Sequence, residues 1–116
     1  MRDPQLKPIH PGEILREEIL IPLNITPIQL AEKIGVEERI ITQIVNEEHN
    51  ITPEIALRLG IYFGQSPQFW LNCQRDYEQD CLSEIIEEKE TILKTQLHPY
   101  HWEKNKPRSV MDSLQN

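Results

Sequence analysis

Three times in this chain a hydroxyl residue followed by proline heads an apolar-periodic run: Thr26-Pro27, Thr52-Pro53 and Ser66-Pro67. A Ser or Thr oxygen can accept from an orphan amide of the first helical turn. Proline in that turn gives up an N–H that has no intrahelical partner anyway. Each pair therefore predicts a helix start. Gly35 and Gly64 close two of the runs, as left-handed residues that end helices. With starts and stops this close together, only short helices packed on one another fit the first two-thirds of the chain.

Residues 1–9 hold three charges and two prolines without periodicity and are expected to form an extended arm. Pro11, Leu15 and Ile19 predict helix one over 11–20, stopped before Pro22 because proline disfavours the helical conformation of the residue preceding it. Leu30, Ala31 and Ile34 give helix two over 27–34. After Gly35-Val36, the apolar positions Ile40, Ile41, Ile44 and Val45 give helix three over 37–46, with Glu38, Arg39, Thr42, Gln43 and Asn46 on its other side. Ile55, Leu59 and Phe63 give helix four over 53–63. Trp70, Cys73 and Tyr77 mark helix five from Pro67, with Phe69 beside them. A second stripe, Leu82, Ile85, Ile86, Leu93 and Leu97, either continues that helix or restarts it near Asp80, and Pro99 ends it. No alternation of period two is present. The expected organisation is an all-α chain: an arm over 1–9, a helical domain over 10–79, an acidic amphipathic extension over 80–98 and a flexible tail over 99–116.

Length and composition narrow the classes. A chain of 116 residues fits one domain, and its 28 Ile and Leu residues are too much branched aliphatic carbon for a wholly disordered one. No segment nears the roughly 20 apolar residues of a membrane helix. The N-terminal residues, with Pro4, Lys7 and Pro8, lack the apolar stretch of a secretory leader, so a soluble cytoplasmic location is expected. Cys73 and Cys81 lie eight residues apart on one predicted helix, about 12 Å along its axis, too far for a disulfide. They are expected to be reduced thiols. His10, His49, His98 and His101 have no metal-ligand spacing, neither cysteine belongs to a Cys-x-x-Cys unit, and no phosphate loop or nucleophile elbow occurs. No catalytic residue, metal or cofactor is expected.

Helices two and three, joined by a two-residue turn, match the pattern of a helix-turn-helix, whose second helix enters the major groove. Ala31 is small enough for close helix approach, and Ile41 and Ile44 would anchor the second helix so that the residues between them project outward. Any helical bundle has short helices with glycine stops, so this pattern alone leaves an ordinary solvated helix open.

Four stretches make the resemblance specific: Ile9-His-Pro-Gly-Glu-Ile-Leu15, Leu30-Ala-Glu-Lys-Ile-Gly-Val36, Ile51-Thr-Pro-Glu-Ile-Ala-Leu-Arg-Leu59 and Phe63-Gly-Gln-Ser-Pro-Gln-Phe-Trp-Leu-Asn-Cys-Gln74. In this order and spacing they resemble the HigA family of toxin-antitoxin antidote proteins over residues 9–77. The resemblance implies a five-helix, phage-repressor-type helix-turn-helix domain. It further implies a homodimer that represses its own operon and binds a RelE-like ribonuclease toxin. Helix three is then the recognition helix, with Glu38, Arg39, Thr42, Gln43 and Asn46 facing base edges of double-stranded operator DNA. Arg39 suits guanine, Gln43 adenine, Thr42 a thymine methyl and Glu38 a cytosine amino group. Thr26 and Gln29, at the start of helix two, would face phosphate. Of the helix-five residues, Phe69 is expected in the core and Trp70, Leu71 and Gln74 at the dimer interface.

Charge runs against this picture in one place. The chain has 12 Lys and Arg against 19 Asp and Glu, a net charge of −7. Residues 26–50 carry −3, with Glu37 and Glu38 at the start of helix three and Glu47 and Glu48 after it. Few basic residues mean little counterion release, so DNA binding is expected to be weak, strongly dimer-dependent or assisted by a basic toxin. A further −5 lies on residues 76–97. An acidic helix there would complement the basic face a ribonuclease needs for RNA, or extend the dimer. Two other functions remain open: a stand-alone repressor without a toxin, and a protein-interaction module that has lost DNA binding.

Overall fold

Side-chain capping bonds open three of the described helices at the Ser/Thr-Pro pairs. In the computed structural model, which describes residues 7–101, Thr26 Oγ1 accepts from Gln29 N–H at 3.1 Å and Gln29 Oε1 accepts from Thr26 N–H at 2.9 Å. Two orphan donors are thus satisfied reciprocally. Thr52 Oγ1 accepts from Ile55 N–H at 3.3 Å, and Ser66 Oγ from Gln68 N–H at 3.1 Å. The described residues form helices and no strand. Helix α1 covers 11–23, α2 Pro27–Ile34, α3 Glu38–Val45, α4 Pro53–Phe63 and α5 Pro67–Gln96.

Helix α1 departs from expectation. It does not stop before Pro22 but runs Pro11–Ile14 as α-helix, Leu15–Leu20 as a π-helix, and Ile21–Leu23 as a last α turn. In the π stretch the Ile21 N–H reaches back five residues to Arg16 O. This wider register accommodates the ring of Pro22, which has no N–H to offer and would clash with a carbonyl in a regular α turn. Asn24 then ends the helix in the left-handed region (φ 57°, ψ 44°), a conformation asparagine tolerates better than most residues. The other end is capped by a side chain of an uncommon kind: His10 Nδ1 accepts from Gly12 N–H at 2.9 Å.

Helix α5 is one helix through Asp80, with no restart, and it ends at Gln96, before Pro99. Contacts divide the chain after Ile85. In the second unit Ile86, Leu93 and Leu97 of that stripe are exposed, as is Ile92 beside them. The expected arm and tail fall largely on residues 1–6 and 102–116, outside the described residues.

The core lies in the first unit. Leu15, Leu30, Ile41, Ile44, Leu59 and Trp70 are fully buried, one or two from each helix, and Ala31, Ile34, Val45, Ile51, Ile55 and Ala56 fill between them. This is the periodic set read from the sequence, with Ile19, Ile40 and Phe63 only partly covered. Trp70 corrects an expectation. It is at 0% exposure in the core rather than at an interface, and its indole Nε1–H donates to Gln65 Oε1 at 2.8 Å, satisfying the ring's one polar group.

Candidate nucleic-acid interface

The α2–α3 junction is set by backbone chemistry. Gly35 sits at φ 71°, ψ 38°, where a Cβ is crowded, and Val36 N–H returns to Ala31 O at 3.0 Å. Glu37 then takes the N-cap position of α3 without a side-chain cap, its carbonyl accepting from Ile40 and Ile41. A side chain from α4 ties the turn down. Arg58 Nη1 donates to Ile34 O at 2.7 Å and lies 3.4 Å from Gly35 O, while its Nε donates to Glu54 at 3.1 Å. The last carbonyls of α2 are thereby satisfied by a cation, which the negative end of the helix dipole also favours.

Helix α3 is held from beneath by Ile41, Ile44 and Val45, all buried. Glu38, Arg39, Thr42, Gln43 and Asn46 fall together on the opposite side, three or four residues apart along the helix. Glu38, Arg39 and Asn46 are exposed, and Thr42 and Gln43 half-buried. The five candidate base-facing residues therefore share one outward surface. The Arg39 guanidinium lies 3.5 Å from Glu37, with side chains 71% and 74% exposed, a solvated pair that a DNA acceptor could displace at little cost.

The phosphate-facing candidates are partly committed. Thr26 and Gln29 spend their side-chain oxygens on each other's amides in the capping box, leaving the Thr26 hydroxyl proton and the Gln29 Nε2 protons as donors. Of the acidic residues after α3, Glu47 is engaged with Arg16 at 3.4 Å, and Glu48 is exposed. Arg16 also donates through Nη1 to Val45 O. Arg16 and Arg58, absent from the sequence-based expectation, therefore act on the end of α3 and on the turn between α2 and α3. Glu54 four residues before Arg58 was a readable helical pair. Arg16 pairs locally with Glu17 at 3.0 Å, but nothing local marked its reach to Val45 and Glu47, about thirty residues away.

The expected dimer residues do not hold as a set. Besides Trp70, Gln74 is only 7% exposed: its Oε1 accepts from Ile51 N–H at 2.8 Å and its Nε2 donates to Glu78 at 3.2 Å. It closes the loop before α4. Leu71 is half-buried against the core, and Phe69, expected inside, is 41% exposed with its ring edge-on to Trp70 at 5.0 Å. The phase of α5 is the reason: Trp70, Gln74 and Tyr77 recur every three to four residues on the inner side, which turns Phe69 outward.

Burial acts on three titratable groups near these helices. It pushes the His10 pKa below 6.5, partly offset by the Glu47 charge. It also pushes the Cys73 thiol up. The Tyr77 hydroxyl is raised chiefly by its hydrogen bond with Cys81. Both cysteines are free thiols, and no group of three or more His, Cys, Asp or Glu among the described residues is arranged to hold a metal ion. No described helix is long and apolar enough to cross a membrane.

A family model described as helix-turn-helix matches residues 15–70. Virulence-associated protein I of Dichelobacter nodosus is 46% identical over 74 residues, covering 64% of this chain and 68% of that protein. Antitoxin HigA-1 of Vibrio cholerae is 36% identical over 74 residues, covering 64% of this chain and 70% of that one. Among solved structures, Pseudomonas aeruginosa antitoxin HigA with higBA promoter is 37% identical with a TM-score of 0.66, covering 82% of this chain and 100% of that one.

Proposed function

The chain belongs to the HigA family of helix-turn-helix antitoxins and regulators, which are not enzymes, and from that premise we propose that it represses its own operon as a homodimer and neutralises a RelE-like ribonuclease toxin. Operator DNA is read by α3. One observation carries this: Glu38, Arg39, Thr42, Gln43 and Asn46 share the side of α3 opposite buried Ile41 and Ile44, on a helix whose C-terminal carbonyl is held by Arg16. The likeness to a HigA whose structure includes a promoter supports the same use of this surface. Thr26 and Gln29 donate to a phosphate with the protons their capping box leaves over, and the positive end of α2 favours the anion.

Dimer contact uses the exposed Phe69 with Leu71, in place of the buried Trp70 and Gln74. The acidic segment 80–98 meets the toxin, whose RNA-binding face is basic. Complementary potential there speeds association.

The test is fluorescence anisotropy of the full chain with the duplex from directly upstream of its own gene and a scrambled duplex of equal length, at low and moderate salt. Preference for the upstream duplex supports the repressor reading. No binding to either, with or without the neighbouring gene product, would leave an interaction module. Copurification of a small basic ribonuclease encoded beside the gene separates an antitoxin from a stand-alone repressor, since the latter retains the DNA preference without a bound partner.

A further inference from the structure

Glu47 stands where the end of a helix ordinarily takes glycine. Its φ is 64°, its N–H returns to Ile44 O at 2.9 Å, and the next amide, Glu48 N–H, returns to Gln43 O at 2.7 Å. This pair of bonds is the helix-ending motif whose left-handed position crowds any Cβ. The side chain explains why a glutamate occupies it. Glu47 Oε2 lies 3.4 Å from Arg16 Nη2, and the same guanidinium donates to the carbonyl of Val45, the last residue of α3, while its Nε donates to Glu17 on α1 at 3.0 Å. Helix α1 also touches this helix end directly, since a Cβ built on Gly12 would fall 1.7 Å from Ile44 O. The C-terminal end of α3 is thus gripped by α1, through a close backbone approach and one arginine.

Resting on the reading that α3 faces operator bases, we propose that Arg16, held on α1 by Glu17 and turned toward α3 by Glu47, is a positioning residue for operator recognition. It satisfies the Val45 carbonyl and fixes the angle at which α3 leaves the core, which sets where Gln43 and Asn46 meet base edges. Hydrogen bonds to bases require placement to about 0.5 Å, so a loosened helix end loses discrimination before it loses general attraction to DNA. Glu47 contributes by holding the guanidinium, and the strained backbone at that position is retained for its carboxylate.

The strain makes the proposal separable from fold stability. Glu47→Gly removes the crowded Cβ and the one carboxylate that draws Arg16 toward α3, leaving it Glu17 on its own helix, whereas Glu47→Gln keeps an oxygen that can accept from Arg16 without the charge. Anisotropy titrations of the full chain and its Arg16→Met, Glu47→Gly and Glu47→Gln variants use the upstream and scrambled duplexes, alongside thermal melts. The expected result is a Glu47→Gly variant that melts no lower than the parent and still loses operator-over-scrambled preference by about tenfold, the scale of one base contact. Arg16→Met loses the same preference, and Glu47→Gln keeps it to within about twofold. A folded Glu47→Gly with the parent's preference overturns the proposal. So does an equal loss on both duplexes with a shallower salt dependence in Arg16→Met, which would make Arg16 a phosphate contact. A parent that binds both duplexes equally removes the operator reading, and the proposal with it, before any variant is compared.

Discussion

His10 caps α1 with its ring, and the bond requires an unprotonated Nδ1 to accept from Gly12 N–H. Burial favours that neutral form, and the ring packs edge-on to Tyr77 at 4.9 Å. Because burial holds the folded pKa below the ordinary histidine value of 6.5, the stability this group contributes is present above about pH 6.5 and is lost as pH falls through the folded value. The urea midpoint is therefore expected to drop between about pH 7.5 and 5.5. His10→Asn, whose side-chain oxygen can accept the same amide without titrating in that window, flattens the drop. An equally steep drop in His10→Asn would place the titration elsewhere. On α3, Arg39→Ala and Gln43→Ala are each expected to weaken operator binding by about 1–3 kcal/mol while leaving the melting temperature nearly unchanged, because neither side chain is part of the core. Operator affinity equal to the parent's in both variants would show that these side chains do not read bases.

At the scale of elements, the two faces of α5 carry opposite expectations. Trp70→Ala empties a fully buried indole site and is expected to cost about 3–5 kcal/mol, read as a lowered denaturation midpoint. Phe69→Glu places a charge on an exposed face and is expected to leave stability nearly intact while shifting the chain from dimer to monomer in sedimentation. A dimer that persists in Phe69→Glu would move the interface off this face. How much of this was legible follows from what each signal depends on. The starts of α2, α4 and α5 could be read because a cap bond is made within three residues, so the sequence contains both partners. The buried stripes of α2, α3 and α4 were legible for the same reason, as periodicity along one helix. Helix α1 was misread at Pro22, since the π register that admits the ring depends on hydrogen bonds no local pattern marks. The inner side of α5 differs from expectation because adjacent helical positions project about 100° apart, and which of two neighbouring aromatic residues turns inward depends on the phase set by Gln74, whose partner is the distant amide of Ile51. The outward surface of α3 was legible. The arginines that hold its C-terminal end and the turn before it were not, because their carbonyl partners belong to other helices or the turn.

For the whole molecule, the charge of −7 resolves into differently employed groups. Two of the twelve basic residues, Arg16 and Arg58, are spent on helix-end carbonyls, which leaves fewer for phosphate. Of the glutamates after α3, Glu47 is engaged with Arg16, while Glu48 remains exposed. Glu48→Lys is accordingly expected to strengthen binding to any duplex and to steepen the salt dependence by about one unit of slope, with little change in sequence preference. An unchanged affinity for scrambled DNA would place this loop away from the backbone. The measurement that bears most directly on the central claim is the ratio of affinities for the upstream and scrambled duplexes, taken for the full chain and for the double variant Arg39→Ala with Gln43→Ala. A recognition surface on α3 predicts a marked preference in the parent that collapses toward unity in the double variant, with both proteins equally folded. A preference that survives the double substitution, or a parent that has none, would contradict it.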